Sequence, residues 1–162
     1  MKAVEFENNL KRNFLFEQFP LEISVENFHM FQEEKNKSFN HLLIMVFDLT
    51  VCGKCMHEEL ALLKDYKEIA ENKGIIFLAL VGTTDKSEES EIINLYRSKI
   101  LFFPFKTINV SDLYKKFHLE EGVYLDTPFF VYTSIDLKIL DIYKPFYLDT
   151  KELSKWLEII AT

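Results

Sequence analysis

The apolar residues of this chain follow two different periods. "HLLIMVF" (41–47) and "IIFLALVG" (75–82) are unbroken apolar runs, the pattern of strands buried on both faces in the middle of a parallel sheet. Between them, "CMHEELALLKDYKEIAENKG" shifts to helical spacing: Leu62, Leu63, Tyr66, Ile69 and Ala70 share one face, and Gly74 marks the end. "TTDKSEESEIINLYRSK" (83–99) offers Thr and Asp caps ahead of Ile92, Ile93 and Tyr96, a second helix. "ILFFPFKTI" (100–108) reads as a strand interrupted by Pro104, and "SDLYKKF" (111–117) as a short helix capped by Ser111. In "TPFFVYTSIDLKILDIYKP" (127–145) two β-rich runs flank "SIDLK", which predicts a hairpin. Leu153, Trp156, Leu157 and Ile160 in "LDTKELSKWLEII" give a closing helix.

Upstream, Phe6, Leu10 and Phe14 predict a short amphipathic helix within 5–19, stopped by Pro20. "LEISVENFHMF" (21–31) reads as one or two short strands and "QEEKNKSFN" (32–40) as a charged loop. Strand–helix units followed by a hairpin and a helix predict an α/β fold, a central mixed β-sheet flanked by helices. Residues 1–20 form an N-terminal extension and 21–162 the domain proper.

Composition narrows the function. Sixteen Phe and seven Tyr supply ample core, while four Gly and four Pro fit regular elements with short loops. With 19 Lys+Arg against 26 Asp+Glu the net charge is −7, which argues against nucleic acid as a partner. No long basic run suggests a membrane surface, and no apolar run is long enough to span a bilayer. The N-terminus has neither an uninterrupted apolar h-region nor a small-residue cleavage site, so it does not read as a signal peptide. The expected location is cytoplasmic, or extracytoplasmic (periplasm or cell envelope) if an export signal has been removed. We expect a monomer.

Only two cysteines are present, Cys52 and Cys55, in "VCGKC". They cannot form a disulfide framework, so whatever they do is local. They fall where a buried strand gives way to a helix. The first helical turn has unpaired N–H groups and a partial positive charge, both of which favour a thiolate. Lys54 adds positive charge. Cys52 is then the exposed nucleophile, and Cys55, one turn in, the thiol that resolves a mixed disulfide. Two plain buried cysteines are the other reading. A metal clip is the rival chemistry: Cys52, Cys55 and His57 could bind Cu(I) or Zn(II) in a copper carrier or binding module. Against it, structural zinc usually needs four ligands, no second C-x-x-C exists, and His29, His41 and His118 are scattered. A peroxidase would want a Thr three residues before its reactive Cys, where Leu49 stands. Gly-rich phosphate loops and G-x-S-x-G elbows are absent.

The strand, "VCGKC", helix, and then Thr127-Pro128 before a hairpin and a final helix resemble the thioredoxin superfamily. Within it the closest likeness is to TlpA/ResA-like, redoxin-like thiol–disulfide oxidoreductases, over roughly residues 21–160. The resemblance implies a thioredoxin fold and disulfide exchange through Cys52 and Cys55, leaning towards a reductant. Substrates would be protein disulfides or dithiols, with an upstream redox partner and no cofactor or resident metal. It implies a cis proline at Pro128 facing the cysteines and a backbone role for Thr127 in pairing with substrate; an ordinary trans proline opening a strand is the alternative. Glu58, three residues after Cys55, matches a Glu frequent in ResA-like proteins, where it would raise the thiol pKa and relay a proton; Glu59 stands beside it for the same role. The group is mostly extracytoplasmic in bacteria. Several positions depart from the family pattern: Val51 replaces the aromatic before the first Cys, Lys54 the motif proline, Leu60 the helix-kinking proline, and Val46 the buried acid of thioredoxins. Asp48 lies two residues from that last position.

Overall fold

The computed structural model describes residues 3–28, 39–49, 60–84, 90, 94, 103–120, 128–145 and 147–160. Strand β1 (His41–Asp48) is the centre of a five-stranded sheet. It runs parallel to β2 (Ile75–Thr83), with pairs from His41↔Ile75 to Asp48↔Gly82. β2 runs parallel to β3 (Phe105–Asn109). On its other side β1 is antiparallel to β4 (Phe129–Ser134), from Val46↔Phe129 to His41↔Ser134, and β4 is antiparallel to β5 (Ile139–Tyr143). The spatial order is β3-β2-β1-β4-β5. The two apolar runs form the middle of the parallel part, as their lack of a polar face predicts.

Among the described residues four helices with both ends described cover the sheet: α1 (Ala3–Phe14), α2 (Leu60–Asn72), α3 (Val110–Lys116) and α4 (Thr150–Ile160). Successive strand residues point to opposite faces. Leu43, Met45 and Phe47 of β1, with Phe77, Ala79 and Val81 of β2, therefore join the core under α2 and α4. Leu42, Ile44 and Val46, with Ile76, Leu78 and Leu80, join the core under α1 and α3. Gly74, with φ of 73°, ends the turn after α2 as the sequence predicts.

Four expectations need correction. α1 stops at Phe14, well ahead of Pro20, because the chain turns at Phe16 (φ 67°) and runs back along the sheet. There Phe16 N–H donates to Ile139 O, Ile139 N–H to Glu17 O, and Phe19 N–H to Leu137 O, each at 2.8 Å. These residues pair with the very start of β5 and the two residues before it, and 21–28 holds no strand, only a 3-10 turn at Val25–Asn27. Residues 29–31 of that expected strand region lie outside the described residues. β3 begins after Pro104, which lacks an N–H for the ladder, although the Pro104 carbonyl accepts from Ala79 N at 2.9 Å; residues 100–102 of the expected strand lie outside the described residues. α3 begins one residue early, at Val110, so its cap is Asn109 and not Ser111: Asn109 Oδ1 accepts from Ser111 N (2.9 Å) and Asp112 N (3.3 Å). In the helix expected within 83–99 only Ser90 and Asn94 of its body are described, both helical.

Candidate active site

β1 ends at Asp48, Leu49 is still buried, and the chain is next described at Leu60, already helical. Cys52, Cys55, Glu58 and Glu59 fall in between, outside the described residues, as does Thr127. Pro128 is described. It is buried immediately before β4, and one step beyond the Val46↔Phe129 pair brings it beside Phe47. Of the expected site residues, Pro128 alone is thus placed, and it stands at the end of the sheet from which β1 delivers the cysteine segment. Three residues separate Asp48 from Cys52, a reach over four Cα–Cα steps of at most about 14 Å. Crevices outside the carboxyl ends of parallel strands are where open α/β sheets bind ligands.

A carboxyl group that the sequence reading set aside lies at this end. Asp48 is only 2% exposed, and Tyr114 Oη donates to its Oδ2 at 2.5 Å. Positions 46 and 48 share a face of β1, so Asp48 lies on the same side as Val46, the side covered by α3. Gly82, paired with Asp48, lets α3 approach: a Cβ there would sit 2.9 Å from Leu113 Cδ2 and 3.3 Å from Val110 Cγ2. That close approach carries Tyr114 to Asp48. The parity of positions 46 and 48 was the signal available in the sequence.

On the opposite face, Tyr66 fastens α2 to α4. Its buried hydroxyl accepts from Asp149 N at 2.7 Å. Asp149 in turn opens α4, its Oδ1 accepting from Lys151 N and its carbonyl from Leu153 N. Nearby, Tyr143 stacks on Trp156 (centroids 5.0 Å apart), whose Nε1 donates to Asp141 Oδ2 at 2.7 Å. Burial, followed by the negative charges of Glu152, Asp149 and Glu7, pushes the Tyr143 phenol up to about 12. Among the described residues no three His, Cys, Asp or Glu side chains gather as metal ligands, and no helix is long and apolar enough to cross a membrane. The rival ligand set of Cys52, Cys55 and His57 lies outside the described residues.

No protein-family model and no curated protein matches the sequence. Solved structures do match. A thiol:disulfide interchange protein, DsbE, from Chlorobium tepidum is 12% identical, with 80% of this chain and 85% of that one covered at a TM-score of 0.55. A thiol-disulfide oxidoreductase from Bacteroides vulgatus is 22% identical over 77% of each chain, at 0.51. The exposed lipoprotein thioredoxin of Streptococcus pneumoniae is 18% identical, with 75% and 86% covered, at 0.50. The chain has a thioredoxin fold. Its mixed five-stranded sheet and flanking helices are those expected from the sequence, and the structural neighbours are named as thiol–disulfide oxidoreductases. At such identities the likeness is one of fold. In a thioredoxin fold, α1 is an N-terminal helix laid on the α3 side of the sheet, its Phe6, Leu10 and Phe14 all buried in that core.

Proposed function

We propose that this protein exchanges disulfides with protein partners through Cys52 and Cys55, acting as a reductant. The observation that carries the reading is the position of Pro128 immediately before β4, beside the end of β1 from which the C-x-x-C segment departs. The Cys52 thiolate attacks one sulfur of the partner's disulfide. A mixed disulfide forms, and the partner's displaced sulfur takes a proton. The Thr127 backbone and the Pro128 ring hold the partner meanwhile. Cys55, giving its proton to Glu58 or Glu59, then attacks the Cys52 sulfur. The mixed bond breaks, the partner's second sulfur is protonated, and two electrons have moved from the protein to the partner. An upstream dithiol reduces the Cys52–Cys55 disulfide again.

Asp48 supports the reductant direction. It stands at the end of the strand that leads to Cys52, and negative charge at that end of the sheet disfavours a thiolate, which weakens the reduced state relative to the disulfide. A Cys55→Ser variant should accumulate the mixed disulfide with a protein substrate, and Cys52→Ser should exchange nothing. If Cys55→Ser traps no adduct during reducing turnover, the mechanism is wrong. The potential of the couple, equilibrated against thiol–disulfide buffers, sets the direction. A value near about −270 mV marks a reductant and one near about −120 mV an oxidant.

A further inference from the structure

Pro128 has no N–H, so it cannot fix its own place in the ladder beside β1. The first recorded pair between the two strands is Val46↔Phe129. Where Pro128 stands is therefore set by how Phe129 is held. The Phe129 ring is fully buried, and two rings meet it edge-on: Phe117, at the end of α3, at 5.3 Å, and Phe6, from α1, at 6.0 Å. Phe6 is fixed in turn. Lys144 Nζ lies 5.8 Å from the centre of its ring, and Lys144 N donates to the adjacent Glu7 Oε1 at 2.8 Å. Because Phe130 pairs with Tyr143, Lys144 is the residue across from Phe129. Phe6 and Glu7 thus grip the ends of β4 and β5 where Pro128 sits. The rest of α1 makes no direct ring contact with Phe129: Lys11 pairs with Asp141 (3.6 Å), and Phe14 packs on the rings of Phe117 and His118 (5.5 and 5.2 Å).

We infer that α1 is a positioning element for the substrate-facing residue, with Phe6 as its working side chain. The inference rests on the reading of Pro128 as that residue. Without the Phe6 ring, Phe129 loses one of its two edge-on neighbours and the start of β4 shifts relative to β1. Backbone pairing with a protein substrate weakens while the sulfur chemistry stays as it is.

The test compares Phe6→Ala and Phe6→Leu with Phe14→Ala, which removes a ring of the same helix and core that does not stack on Phe129. Reduced protein is assayed with insulin as the protein disulfide and with 5,5′-dithiobis(2-nitrobenzoate) as a small one. Phe6→Ala should raise KM for insulin about fivefold, the factor expected from losing one backbone hydrogen bond. Its rate with the small disulfide should stay within about twofold, and Phe6→Leu should recover most of the loss. Phe14→Ala, which reaches Phe129 only through Phe117, should lower the melting temperature and shift KM less than Phe6→Ala does. Equal KM shifts in Phe6→Ala and Phe14→Ala, no shift in either, or a parallel loss with both disulfides would overturn the inference. Amide hydrogen exchange at Phe129 and Phe130 gives a readout independent of the cysteines: protection should fall more in Phe6→Ala than in Phe14→Ala, and equal protection refutes the positioning role. If wild-type protein reduces neither disulfide, the cysteine mechanism has failed, and exchange at Phe129 still decides the role of Phe6.

Discussion

The two faces of the sheet are built by different means. Under α1 and α3 a cluster of phenylalanine rings packs edge to face within a core whose other members are mainly Leu, Ile and Val. Phe117 is its hub, within 5.3–5.6 Å of Phe14, Phe19 and Phe129. The hydrogen bond from Tyr114 to Asp48 lies deep in it. Under α2 and α4, Tyr, Trp and Asp side chains stitch helix to helix and helix to strand, through Tyr66 with Asp149 and Trp156 with Asp141. A ring core is held by volume and tolerates no cavity, whereas a stitched core loses direction when a single donor or acceptor goes. The face held by volume carries the start of β4, and the stitched face carries the helix that follows the cysteines.

The sharpest way to break the contrast is Phe117→Ala. It opens a cavity between three rings and should cost about 3–5 kcal/mol, read from urea unfolding. If the loss is below about 1 kcal/mol, the rings do not act as a unit. A matched pair sharpens it further. Asp48→Ala takes from the buried Tyr114 hydroxyl its carboxylate acceptor and should cost about 1–3 kcal/mol, whereas Tyr66→Phe, at the half-buried entry to α4, should cost about 1 kcal/mol. Asp48→Asn keeps an acceptor and should leave stability nearly intact while moving the Cys52–Cys55 potential towards oxidant by on the order of 10–30 mV.

The smallest effect belongs to the stitched face and to alkaline solution. Tyr143 ionises at about 12 in the folded protein against 10.0 ordinarily. Below pH 10 its phenol is protonated in folded and unfolded chains alike, and its contribution is fully present. Between these values the unfolded chain loses the proton first, so stability falls as pH rises. Tyr143→Phe should flatten that part of the stability–pH curve, and a phenolate titration should lose its latest step. An unchanged curve would mean that Tyr143 ionises as it does in the unfolded chain.

Much of this was legible in the sequence because local pattern dictated it. The β1 and β2 runs have no polar face, the hairpin has its turn residues, and α4 has helical spacing. What escaped depends on partners distant in sequence. Nothing in residues 16–19 announces that they will pair with the start of β5 and the residues before it, and that pairing ends α1 early and leaves 21–28 without a strand. The choice of Asn109 over Ser111 as cap turned on a one-residue shift in the start of α3. Asp48 was visible as a residue but not as a buried one, because its burial needs Gly82 and the approach of α3. At the site itself, spacing alone singled out Cys52 and Cys55, whereas the roles of Glu58, Thr127 and Pro128 came from family resemblance, and of these the fold places Pro128.

The strand order also sets a hazard during synthesis. A ribosome releases β1 long before β4, yet β4 is its neighbour on one side. Until that hairpin emerges, the growing polypeptide holds a strand that is apolar on both faces and open along one edge, a template for pairing with other nascent chains. Ribosome-bound fragments ending before Phe129 carry this adhesive edge, and fragments long enough to release Tyr143 can close it.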